Sequence, residues 1–203
     1  MWIFLLLLAL LLLWSANLWF YHDLPINRLS SHEEDCFSPK CKGLIYKNNS
    51  KKAVLMIHGF PTTPQMYQYS AKVFSQNGYD VYALLIPSFG TDYHEFSKTN
   101  FTAWFDYIDN YYLKLREQYP YLSVLGVSMG GAMTLKLGEI HNTLNKPNCL
   151  ISISAPVIFN SFKYKTFTYP SAYFARLVAP FLPYINPKRN DGAEEWTAIK
   201  VFT

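Results

Sequence analysis

The pentapeptide Gly126-Val127-Ser128-Met129-Gly130 directly follows the apolar run Tyr121 to Leu125 and directly precedes the small-residue segment Gly131-Ala132-Met133. This order constrains the fold more than any other stretch, because it reads as strand, sharp turn, helix. Such a turn presses neighbouring backbones against the serine, and only residues without a side chain tolerate that approach. The turn lifts the hydroxyl above the sheet edge and aims the start of the next helix at it. The pentapeptide alone is a common match, so its surroundings decide.

Those surroundings alternate. Leu44 to Tyr46 reads as a short strand and Ala53 to Ile57 as a buried one. Pro64 to Gln76 reads as a helix, entered through Thr62-Thr63 with proline early and closed at Asn77-Gly78. Val81 to Ile86 is the next strand, followed by a loop from Pro87 to Phe101 that carries Gly90, Asp92 and His94. Thr102 to Glu117 places Trp104, Ile108, Tyr111 and Leu115 near the helical period. Met129 to Ile140 is a helix, and Leu150 to Ser154 a buried strand that Cys149 begins as an inert thiol. Continuous apolar strands separated by helices imply a mostly parallel sheet with helices on both faces. Chemistry is then expected at the C-terminal strand ends, where His58, Phe60, Pro87, Ser128 and Ala155 all fall.

With 203 residues the chain has room for one domain. Half of it is hydrophobic and 16% is charged, which is too apolar for disorder. Much of the excess lies in Trp2 to Tyr21, which contains no charge. Twenty helical residues span about 30 Å, a bilayer core. A cleaved signal peptide would need a basic start and small residues at the cut, and neither is present. The expected organisation is a transmembrane anchor over 2–21, a linker over 22–42, a catalytic-type core over 43–156 and a distinct segment over 157–203.

Which side of the membrane the core occupies is weakly marked. Only Arg28 lies close behind the run. Cys36 and Cys41 would pair in an oxidising space or stand as two thiols in a reducing one, and the lean is towards an exported core. The net charge of +4 comes with no arginine-rich or aromatic-interleaved stripe, so no nucleic-acid partner is expected. Metal-ligand spacing, a Walker loop and a dinucleotide glycine pattern are all missing, so no metal or cofactor is expected.

Four segments together carry a resemblance: Leu55 to Pro61 (L-M-I-H-G-F-P), Leu84 to Thr91 (L-L-I-P-S-F-G-T), Gly126 to Gly131 and Ile151 to Pro156 (I-S-I-S-A-P). In that order and approximate spacing the chain resembles α/β-hydrolases of the carboxylesterase and monoacylglycerol-lipase type. The resemblance covers roughly Gly43 to Pro156. It implies a serine hydrolase of acyl esters with Ser128 as nucleophile and the backbone N–H groups of Phe60 and Met129 as oxyanion donors. It also places His58, Gly59, Phe159 and Phe162 on the substrate side, with His58 a satisfied structural histidine rather than the base. The aromatic, proline-rich stretch from Val157 corresponds to a lid, often apolar towards an acyl chain. A small acyl ester or lipid is the implied partner.

The rest of a triad is not evident. In this fold the acid and histidine follow the serine, and the single histidine after Ser128 is His141. It sits at the far end of the same helix, about 20 Å away at 1.5 Å per residue. Glu139 fails on the same ground, Asp191, Glu194 and Glu195 lie in the lid-like tail, and His94 precedes the serine. Two further βα units, about 60 residues at ~30 each, would be required. A truncated or frame-shifted hydrolase and a shortened chain without ordinary triad chemistry both fit. Either predicts little esterase activity for these residues. The competing class is a non-catalytic lipid-binding or interaction protein derived from a hydrolase, and a peptidase or thioesterase would share the same turn.

Overall fold

The computed structural model describes residues 2–20, 33–36, 38–92, 96, 99–157 and 199–200. Two units make up the chain, one from Met1–Pro25 with Ile158–Lys188 and one from Ile26–Val157 with Arg189–Thr203. In the first, α1 (Trp2–Phe20) is a 19-residue α-helix. Its side chains are described from Trp2 to Leu12, and all of these are exposed. Among the described residues, no helix is long and apolar enough to cross a membrane. The segment expected to cross over 2–21 is thus helical over Trp2–Phe20, with side chains described as far as Leu12.

The second unit holds the sheet. Its elements are β1 (Leu44–Tyr46), β2 (Lys52–Ile57), α2 (Gln68–Gln76), β3 (Asp80–Leu84), β4 (Thr91–Asp92), α3 (Phe101–Gln118), β5 (Tyr121–Val127), α4 (Met129–Ile140), β6 (Cys149–Ile153) and β7 (Ile199–Lys200). The main sheet runs β1-β3-β2-β5-β6. β1 is antiparallel to β3, and the other pairings are parallel. Alternation along β2 sends Ala53, Leu55 and Ile57 to one face, with Phe105, Ile108 and Tyr112 of α3 and Met133 and Leu137 of α4. Val54 and Met56 go to the other face, with Ala71 of α2. Both faces are thus covered, as the apolar strand pattern requires. Each Leu, Ile or Val so buried contributes roughly 1.5–3 kcal/mol.

Several boundaries differ from the sequence expectation, each for a physical reason. Pro64–Tyr67 forms a 3₁₀ turn before α2 begins, the tighter geometry common at helix starts. β3 stops at Leu84 because the Ile86 N–H leaves the ladder and donates to His58 Nε2 at 3.1 Å. β4 pairs in parallel with β7, a pairing of two-residue strands too short to show any periodicity. Cys149 does begin β6, but it is exposed, not buried. Among the described residues β6 pairs with β5 alone, so its apolar side chains lack the cover that β2 and β3 have. Residues 22–32 and 37 of the linker, and 158–198 of the lid-like segment with Phe159 and Phe162, lie outside the described residues.

Candidate active site

The parallel strands deliver three loops to one edge of the sheet. Ile57 of β2 lies level with Gly126 of β5, and Gly126 with Ser152 of β6. Ser128 therefore emerges one residue beyond β5, beside the loop that leaves β2.

Ser128 has φ 55° and ψ −119°, a backbone conformation that costs a residue with a side chain on the order of 1–3 kcal/mol. Its N–H donates to Ile153 O at 2.8 Å, and its carbonyl accepts from Ala132 N–H at 3.0 Å. The turn is thus fastened to β6 on one side and opens α4 on the other. Close approach explains both flanking glycines. A Cβ on Gly126 would lie 2.1 Å from Gly130 O, and one on Gly130 would lie 2.0 Å from Ile57 O and 2.6 Å from His58 O. No side chain fits in either place.

Met129 is the first residue of α4, and the first four N–H groups of a helix have no acceptor within it. Its amide is therefore available at the serine, where the positive end of the helix dipole also lies. The β2 loop meets the serine from the other side. A Cβ on Gly59 would stand 3.1 Å from Ser128 Cβ. The Gly59 carbonyl is held by Thr62 N–H at 3.0 Å, by the Thr62 hydroxyl at 2.8 Å and by His58 Nδ1 at 3.0 Å. Since the Gly59–Phe60 peptide is trans, fixing that carbonyl turns the Phe60 N–H the opposite way. The Phe60–Pro61 peptide that follows is cis.

His58 sits behind this loop. Its ring is 0% exposed. Nε2 accepts from Ile86 N–H and Nδ1 faces the Gly59 carbonyl, which defines a neutral ring protonated on Nδ1. Burial lowers its pKa from the ordinary imidazole value to about 4, against an upward contribution from the Gly59 carbonyl. His58 ties β2, β3 and the Gly59 loop together from behind, and no nitrogen remains for a ligand. Gly59 itself does sit beside the serine. Phe159, Phe162 and His94 lie outside the described residues.

An aromatic group not singled out in the sequence borders this loop. The Phe60 ring is 50% exposed and lies 5.8 Å from Phe96 and 6.2 Å from Phe89. Phe89 is buried, 5.1 Å from both Phe96 and Trp104 and 4.9 Å from the His58 ring. The signal was present: a phenylalanine follows a glycine or precedes one at two successive strand ends, G-F-P and S-F-G.

At the other end of α4, His141 Nε2 is 2.6 Å from Asp109 Oδ1 of α3, and its ring lies 5.1 Å from that of Tyr112. The 12 residues of α4 stand between this pair and Ser128, about 18 Å at 1.5 Å per residue. Among the described residues no group of three or more His, Cys, Asp or Glu side chains is placed to hold a metal ion.

A parallel sheet, a strained serine between strand and helix, and a glycine loop packed against that serine define an α/β-hydrolase. Residues 48–198 match the model of the serine aminopeptidase (S33) family, and the chain belongs to that family, with monoacylglycerol-lipase-like serine hydrolases as its relatives. It is 33% identical over 97 residues to the thermostable monoacylglycerol lipase of Bacillus sp. (strain H-257), a match covering 48% of this chain and 39% of that enzyme. Among solved structures it is similar to one of two metagenome-derived lipolytic enzymes, LipS and LipT, with TM-score 0.55 and 26% identity over 63% of this chain and 51% of that one. The Paleococcus ferrophilus monoacylglycerol lipase shares the fold at TM-score 0.51 and 17% identity, covering 70% of this chain and 51% of that one. The chain thus spans about half or less of the length of these relatives.

Proposed function

We propose that this chain supplies the nucleophile and oxyanion hole of a hydrolase acting on carboxylic esters of the monoacylglycerol kind. The conformation of Ser128 carries the reading. A serine at φ 55° and ψ −119° beside the Met129 amide and the Gly59 loop is built for acyl transfer. The hydroxyl oxygen attacks the ester carbonyl, its proton passing to a base, and the amides of Met129 and Phe60 receive the negative charge on the former carbonyl oxygen. Collapse expels the alcohol and leaves an acyl-serine, which water then hydrolyses. Each amide contributes roughly 2.7–4 kcal/mol to the transition state. The half-exposed Phe60 and its aromatic neighbours suit the apolar acyl chain, and the aromatic-rich lid-like segment over 157–203 belongs to the same proposal.

Neither described histidine near α4 suits Ser128 as a base, because His58 is buried with both nitrogens committed and His141 stands a 12-residue helix away. Without a base at Ser128, ester turnover is expected about 10⁶-fold below that of a hydrolase with its base in place. The test is fluorophosphonate labelling with imidazole as an external base. Slow labelling of Ser128 that imidazole accelerates and Ser128→Ala abolishes supports the proposal. Labelling unchanged in Ser128→Ala removes the nucleophile, and rapid labelling without imidazole removes the deficit.

Membrane attachment through α1 is part of the same proposal, supported by its uncharged sequence and the exposed side chains from Trp2 to Leu12. The same proposal puts the core on the exported side, where Cys36 and Cys41 would meet an oxidising space. Recovery of the protein in the soluble fraction after carbonate extraction would overturn the anchor.

A further inference from the structure

Cys41 closes a short 3₁₀ turn, Pro39–Cys41, and Cys36 lies five positions before it. Ser38 opens the turn, its hydroxyl accepting from Lys40 N–H at 3.3 Å and its carbonyl from Cys41 N–H at 3.0 Å. Cys41 is 1% exposed, while Cys36 is half-buried and packs on the same core as Phe96 and Trp104.

Both sulfurs converge on Gly90. A Cβ there would lie 3.3 Å from Cys36 Sγ, 3.6 Å from Cys41 Sγ and 2.8 Å from Cys41 Cβ. Gly90 also has φ 73°, so the absence of a side chain serves both its backbone and the room the two sulfurs occupy. Two sulfurs so close to a single point, on side chains only five positions apart in sequence, are within reach of each other by rotation about their Cα–Cβ bonds, which moves the sulfurs while the backbone stays in place.

We propose that Cys36 and Cys41, unlinked in this structure, are a redox modification site that closes to a disulfide against Gly90. The oxidant is a low-molecular-weight disulfide of the glutathione class. The more accessible Cys36, as thiolate, attacks one sulfur of that reagent and expels one thiolate, leaving a mixed disulfide. Cys41 then loses its proton, attacks Cys36 Sγ and expels the second thiolate. Two protein thiols are oxidised to one disulfide and the reagent is reduced to two thiols. This order suits the burial of Cys41, which raises its thiol pKa against a smaller lowering by the Ser38 backbone, making it the poorer first nucleophile.

The site has a structural reach. Gly90 follows Phe89, whose ring packs on His58 and Phe60. The linked cysteines would brace the turn that backs the Gly59 loop. The inference stands whether or not Ser128 is catalytic.

The experiment takes the full chain in detergent, reduced and then equilibrated across glutathione buffers of rising oxidised fraction, with alkylation and peptide mapping at each step. The expected result is a Cys36–Cys41 linked peptide, loss of two alkylatable thiols while Cys149 stays alkylated, and a rise in Tm of about 5 °C. Cys36→Ser should remove both the link and the rise. A stable glutathione adduct on Cys36 with Cys41 still alkylated, a link to Cys149 instead, or two reactive thiols throughout the series would each overturn the proposal. The mapping is done on the unmodified protein, so it decides even if Cys36→Ser does not fold.

Discussion

The two ends of α4 differ in how their chemistry-bearing residues are held. At its start, Ser128 is strained and fastened to β6, and the glycines around it touch backbone. At its end, the His141 ring lies 2.6 Å from the Asp109 carboxyl, and the helix glycine nearest that end, Gly138, faces the tip of the Leu150 side chain. A histidine beside a carboxylate looks more like a catalytic pair than a lone serine does. Under the proposed function, strain and backbone contact, not residue type, mark the end built for chemistry.

The sharpest way to break that contrast is one substitution applied at both ends. Gly130→Ala puts a methyl group 2.0 Å from Ile57 O, an oxygen that also accepts from the Tyr67 hydroxyl at 2.7 Å and lies on a strand paired on both sides. The backbone has nowhere to go, so a loss above about 4 kcal/mol is expected. Gly138→Ala meets Leu150 Cδ1, the movable end of a partly exposed side chain, and gains helix propensity of up to about 1 kcal/mol. Urea midpoints measure both. Similar losses at the two sites would erase the distinction.

The second effect is a pH dependence of the strained end. Below the unfolded imidazole pKa of about 6.5 the unfolded chain takes up a proton that His58 in the fold does not accept until about pH 4. The stability His58 contributes is therefore complete above pH 6.5 and lost as pH falls through that window, by about 3 kcal/mol. Comparing wild type with His58→Gln cancels the carboxylates common to both. A wild-type curve as flat as the variant's over this window would show that the ring is not held neutral.

Third, Asp109→Ala should cost about 1–3 kcal/mol by leaving the partly buried His141 without its partner. It should leave imidazole-assisted labelling of Ser128 unchanged. Loss of that labelling in a folded variant would tie the two ends together.

How much of this was legible beforehand follows the same division. Local signals carried the turn: the glycine spacing around Ser128, the strand runs and the start of α4 at Met129 all stand where the sequence places them. The role of His58 was half legible. Its place at a strand end suggested a site residue, but only the distant Ile86 N–H, brought in where β3 ends, shows both nitrogens spent. β6 reads as apolar as β2, yet Leu150 and Ile153 are exposed, because burial depends on neighbours that lie elsewhere in the chain. The His141–Asp109 pair joins two helices and leaves no local trace. Exclusion of His141 as the base needed only the rise of one helix, and that much was available from spacing.

The smallest predicted effect is also the most diagnostic of the strained end. Ser128→Gly removes the hydroxyl and the Cβ together. If the φ 55° backbone stores about 1–3 kcal/mol, relief of that strain should exceed the roughly 0.5–1 kcal/mol that glycine's extra freedom costs on folding. The net is a stabilisation of about 1 kcal/mol, a Tm rise of roughly 2–4 °C for a chain of this size, with all Ser128-dependent labelling lost. Ser128→Ala keeps the Cβ and should gain nothing. The difference between the two variants isolates the backbone from the lost hydroxyl. A serine replaced by glycine seldom stabilises a fold, so a gain here would identify a position where stability has been given up for geometry. A fall in Tm for the glycine variant as large as for the alanine variant would mean that the turn is unstrained, and the contrast between the two ends of α4 would lose its physical basis.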